Sequence, residues 1–79
     1  MREAVAKRLI ELMEQKNLSL NGLARLAAIP PSTLKNIIYG KSRNPGVVTI
    51  KLLCDGMDIT ITEFFNSPIF YELGMEEID

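Results

Sequence analysis

Residues 29 to 31 read Ile-Pro-Pro, and two consecutive prolines leave the chain few conformations there. Pro30 pushes Ile29 out of the helical region and Pro31 does the same to Pro30, while the fixed φ of Pro31 suits the first residue of a helix. One helix must end before Ile29 and another must begin at Pro31.

Upstream, the spacing predicts a short helix over residues 20 to 27 that turns Leu23, Ala24 and Ala27 inward, with Ser19 capping it through its hydroxyl. Ala24 and Ala27 are small enough to let another helix backbone approach closely. Gly22, inside this helix, costs about 1 kcal/mol relative to alanine, and close approach of a neighbour is one explanation for it. Downstream, Leu34, Ile37 and Ile38 form an inner stripe, and Ser32, Lys35, Asn36 and Tyr39 take the outer face. Gly40 is expected to adopt the left-handed conformation that stops this helix.

The same period organises the flanks. In residues 2 to 16, Val5, Ala6, Leu9, Ile10, Leu12 and Met13 recur at three- and four-residue steps, which predicts an amphipathic first helix ended by Asn17. Residues 41 to 46 form a polar, turn-rich loop. Val47, Ile50, Leu53, Cys54 and Met57 then mark the inward stripe of a fourth helix, with Lys51 and Asp55 facing water. Thr60 and Glu63 have the spacing of a capping box, which opens a short fifth helix over residues 61 to 65. Ser67-Pro68 carries a further start signal, but Gly74 and the closing acids limit a sixth helix to a turn or two. The fold class is all-α: five helices in a compact globule, with a short sixth.

Charge divides the chain. All nine basic residues precede residue 55 and are joined there by three acids, for a net +6; from Asp55 onward seven acids and no base give −7. A basic body with an acidic end suits the binding of a polyanion on one face. Histidine is absent, which removes the commonest general base and the commonest metal ligand, so no catalytic residue, cofactor or metal is expected. Cys54 is the one cysteine and follows the apolar Leu52 and Leu53, so it reads as a small buried hydrophobe rather than a reactive thiol. No apolar run approaches a membrane span and the charged start is unlike a signal peptide, so a cytoplasmic protein is expected.

Two short helices joined by three residues, the second with a polar outer face and a basic loop after it, is the arrangement that presents a helix to the major groove of DNA. Here the sequence resembles the Cro/repressor (Cro/C1-type, XRE) family of helix-turn-helix regulators over about residues 5 to 65. The marks are Ser19, Leu23-Ala24, Ile29, Thr33-Leu34, Ile37, Gly40, Asn44-Pro45, Ile59-Thr60 and Glu63-Phe64. Three positions depart from it: Leu20 where the family often has a phosphate-touching Gln, Ile38 where Glu is common, and Asp58 where Gly often closes the fourth helix. Aspartate can adopt the left-handed geometry required there, at some cost.

The resemblance implies a lambda-repressor-like DNA-binding domain over residues 1 to 66, followed by a short acidic extension over 67 to 79. It implies a transcriptional regulator that binds double-stranded DNA; size alone favours a repressor, and a homodimer, at least on DNA, is expected because one helix reads only a few base pairs. Ser32, Thr33, Lys35 and Asn36 would read bases: Asn36 by pairing with adenine, Lys35 at guanine or a phosphate, Thr33 at a thymine methyl or else half-buried beside Leu34. Ser19, Asn21, Tyr39, Lys41, Ser42, Arg43 and Asn44 would contact phosphates and set register. Arg25 either faces DNA or pairs with an acid, while Arg2, Lys7, Arg8 and Lys16 are expected to face solvent.

Ile61, Phe64, Phe65, Ile69, Phe70, Tyr71 and Leu73 exceed what one thin helix can bury, so they either cap the core or form a dimer face. The alternative function is an antitoxin-like protein-interaction module that uses its acidic C-terminal segment.

Overall fold

The computed structural model describes residues 2–40 and 45–73. Among the described residues there is no strand, and six helices follow one another: α1 (Arg2–Gln15), α2 (Leu20–Ala27), α3 (Pro31–Tyr39), α4 (Val47–Gly56), α5 (Ile61–Phe65) and α6 (Pro68–Tyr71). α2 packs against α3 and α4, α1 against α3 and α6, and α5 against α4. The expected all-helical architecture, including the one-turn sixth helix, is the observed one.

Three of the connections are built alike. Asn17, Ala28 and Asp58 sit in the left-handed region at φ 55, 57 and 58°. Each donates its N–H to the carbonyl three residues back, and the following Leu18, Ile29 or Ile59 donates to the carbonyl five back, at 2.8 to 3.0 Å. These paired bonds satisfy helix-end carbonyls that would otherwise lack partners. Leu18, Ile29 and Ile59 then pack half-buried against the core. The next residue opens the following helix. Ser19 accepts from the Gly22 N–H, Thr60 and Glu63 form the expected capping box, and Pro30 gives α3 no side-chain cap. Left-handed geometry was expected at Asn17 and Asp58; Ala28 adopts it without the polar side chain that eases it.

The core gathers Val5, Leu9 and Leu12 of α1, Leu23, Ala24 and Ala27 of α2, Leu34, Ile37 and Ile38 of α3, Ile50, Leu53 and Cys54 of α4, Met57, and Phe64. Phe64 lies edge-to-face on Phe65, centroids 4.9 Å apart, and Phe70 closes the cluster at 4.9 Å from Phe65. These three rings therefore cap the core, while Ile61 and Tyr71 remain exposed. Cys54 is fully buried, and burial pushes its thiol pKa up. The expected close crossing is the α2–α4 contact: a methyl placed on Gly56 would meet the Ala27 nitrogen at 2.9 Å.

Several expectations are corrected. Gly40 is extended (φ −80°, ψ 170°) and not left-handed. It is glycine for a steric reason, since a Cβ there would lie 2.6 Å from the Asn36 carbonyl oxygen. Val47 is 75% exposed: it lies in the first turn of α4, while the buried stripe is confined to Ile50, Leu53 and Cys54 further along the helix. Ile10 lies on the outward side of α1, opposite Leu9 and Leu12. Thr33 is exposed and not half-buried. Arg8 does not face solvent: its side chain is 11% exposed, and it pairs with Glu11 while donating to the carbonyls of Glu63 and Phe64. Gly22 meets no neighbouring element; the atom nearest an added Cβ is the capping Ser19 Oγ, at 3.0 Å.

Candidate nucleic-acid interface

Alternation of burial along α3 defines the surface. Leu34, Ile37 and Ile38 lock one side of the helix into the core, and the period of 3.6 residues then forces Ser32, Thr33, Lys35 and Asn36 outward. All four are exposed, and Tyr39, at the last turn, is 70% exposed. The face thus offers two hydroxyls, an ammonium and an amide within two turns of helix. These groups can donate to and accept from base edges in a major groove.

The α2 side contributes Ser19 and Asn21, both exposed. Ser19 Oγ is engaged as acceptor of the Gly22 N–H at 3.0 Å, which leaves its hydroxyl proton available to an outside acceptor. Arg25 is also exposed, on the turn after Asn21. The structure therefore brings Ser32, Thr33, Lys35, Asn36, Tyr39, Ser19 and Asn21 onto exposed positions of the two helices. Lys41, Ser42, Arg43 and Asn44 lie outside the described residues. Val47, expected to face inward, and Val48, which sequence reasoning did not single out, stand 75 and 72% exposed at the start of α4.

Away from this face, Lys51 and Asp55 pair across one turn of α4 at 2.5 Å, and the bond to the carboxylate raises the lysine pKa. An exposed i,i+4 pair of this kind contributes little to stability. Among the described residues no group of acidic, cysteine or histidine side chains is placed to hold a metal ion, and no helix is long and apolar enough to cross a membrane.

Residues 8–67 match the model of the Cro/C1-type HTH DNA-binding domain. No curated protein matches the chain. Among solved structures the chain is similar to the prophage Lp1 protein 11, with a TM-score of 0.80 and 35% sequence identity over 91% of this chain and 95% of that one.

Proposed function

The chain belongs to the Cro/C1-type helix-turn-helix DNA-binding family, and on that premise we propose that it is a sequence-specific transcriptional repressor that reads the major groove with α3. The observation that carries this reading is the α3 surface: every polar side chain of the helix is outside while its apolar stripe is held in the core. Asn36 pairs with adenine, Lys35 contacts guanine or a phosphate, Ser32 hydrogen-bonds a base edge and Thr33 packs on a thymine methyl. Ser19, Asn21 and Tyr39, with Lys41, Ser42, Arg43 and Asn44 of the loop, hold phosphates.

One helix reads only a few base pairs, so the protein acts as a homodimer on two half-sites about 34 Å apart. Residues 1 to 66 are the DNA-binding domain and 67 to 79 an acidic extension. The protein works in the cytoplasm by occupying promoter DNA, without catalysis.

Selection of bound duplexes from a random pool at about 0.15 M salt, where counterion competition suppresses non-specific binding, tests the reading. A two-fold symmetric motif is the expected result. Recovery of nothing above background would overturn it and leave a protein partner as the target.

A further inference from the structure

An open groove between α1 and α6 is lined by Lys7, Ile10, Glu11, Glu14, Gln15 and Ile69. It belongs neither to the α3 surface nor to the core. Ile10 lies on the side of α1 opposite the buried Leu9 and Leu12, yet it is only 36% exposed. Ile69 of α6 shares the groove with it, so the floor is apolar and the rim is charged. The rim carries both signs in sequence order along one helix face: Lys7, then Glu11 and Glu14, at steps of four and three residues.

That order selects a partner. Glu11 and Glu14 would repel a nucleic-acid backbone, and a surface of a single sign would repel its own copy. A face with a cation at one end and an anion at the other complements itself under a two-fold rotation. Lys7 and Glu14 are seven residues, about 10.5 Å, apart along the helix. An antiparallel copy whose axis passes midway between them, at Ile10 and Glu11, sets each Lys7 opposite the other copy's Glu14. The same axis brings the two Ile10 side chains to the centre. Glu11, at that centre, is already neutralised by Arg8 of its own chain, so it adds no repulsion there.

We infer that the α1–α6 groove is an isologous contact with a second copy of this chain, held by two Lys7–Glu14 pairs around Ile10. This deepens the homodimer reading by naming its face, and it concerns the protein without DNA.

The test is sedimentation equilibrium of the full chain with Lys7→Glu, Glu14→Lys, the double swap and Ile10→Asp, with helicity by circular dichroism as the fold control. Each single swap turns two attractive pairs into two repulsive ones and is expected to weaken the dimer about tenfold or more. The double swap restores both pairs and is expected to return the dissociation constant to within about twofold of the parent. Ile10→Asp is expected to give monomers with unchanged helicity, since Ile10 lies at the surface. A dimer indifferent to the single swaps, or a double swap no better than the singles, overturns this face while leaving the dimer reading intact. A chain that stays monomeric at about 100 µM, where even a weak dimer forms, also overturns this face, while the dimer on DNA stands or falls separately on whether the selected duplex motif is two-fold symmetric.

Discussion

Arg8 donates its Nε–H to the carbonyl oxygen of Phe64, 2.7 Å away across 56 residues of chain. A second nitrogen of the same guanidinium donates to the Glu63 carbonyl at 2.8 Å. These carbonyls lie at the C-terminal end of α5, where helix carbonyls lack intrahelical partners and the helix dipole is negative, so a cation is favoured twice over. With Glu11 on its third nitrogen, Arg8 ties α1 to the end of α5.

Replacing Arg8 by Met keeps much of the apolar stem and removes three charge-assisted bonds. The expected loss is about 2 kcal/mol in urea unfolding, with an unchanged m-value. Arg8→Lys recovers only part of it, because an ammonium cannot reproduce the planar fork that spans two carbonyls. Full stability in Arg8→Met would mean that the guanidinium bonds are no better than those the carbonyls make with water.

Ala28 is the one left-handed residue of the three joins without a polar side chain. Left-handed geometry costs a non-glycine residue about 1–2 kcal/mol, and glycine gives part of that back as extra freedom in the unfolded chain. Ala28→Gly is therefore expected to stabilise the fold by about 0.5 kcal/mol, read as a higher midpoint in thermal unfolding. A lower midpoint would contradict the strain assigned to the α2–α3 turn.

Gly56 and Gly46 form an internal contrast. Alanine in place of Gly56 improves helix propensity by about 1 kcal/mol but sets a methyl 2.9 Å from the Ala27 nitrogen, which is backbone and cannot swing aside. The overpacking, about 1–3 kcal/mol, outweighs the gain. Nothing lies within 4 Å of a Cβ at Gly46, whose φ of −75° suits any residue. Gly46 is the N-cap of α4, where alanine is a poorer residue than glycine, so Gly46→Ala should cost only about 0.5 kcal/mol, less than Gly56→Ala. Equal melting of the two variants would remove the close α2–α4 crossing as an explanation.

Cys54 links stability to pH. Burial raises its thiol pKa in the folded state, so the folded chain holds the proton at pH values where the unfolded chain has released it. The stability this provides is complete below the ordinary thiol value of about 8.5 and is lost as pH rises through it toward the folded value. Cys54→Ala, which leaves a cavity, should be less stable at neutral pH, and the gap to the parent should narrow above pH 8.5. The native thiol should also resist an aqueous disulfide reagent until urea unfolds the chain.

The elements were legible because their signals are local. Pro30-Pro31 set the boundary between α2 and α3, Ser19 and the Thr60–Glu63 pair opened helices, and Asn17 and Asp58 announced left-handed ends in their own side chains. The outward face of α3 followed from period alone. Contacts between distant segments escaped. Nothing near Arg8 says that the end of α5 will arrive beside it, and its charge alone argues for solvent. Gly40 misled because glycine has two uses, left-handed geometry and the absence of a Cβ, and only the position of the Asn36 carbonyl shows which applies. Val47 failed because it lies in the first turn of α4: it shares a helix face with Ile50 and Cys54, but period alone does not show where along the helix the core ends.

The exposed face of α3 separates reading from holding. Asn36 is exposed, and its amide is the group that matches adenine, so Asn36→Ala should weaken operator binding by about 1–3 kcal/mol. It should also relax preference at one base pair of each half-site, with the salt slope unchanged because no phosphate contact is lost. Lys35 has two roles open to it, and the same titration distinguishes them. If it reads guanine, Lys35→Ala relaxes a second position. If it holds a phosphate, binding falls about equally on all sequences and the slope of log K against log salt drops by about one per site. Ser19→Ala removes the α2 cap as well as the proposed phosphate contact, so it should lower stability by about 1 kcal/mol and affinity without altering preference at any base. Uniform losses in all three variants, with no change in base preference, would sink the assignment of α3 as the reading helix.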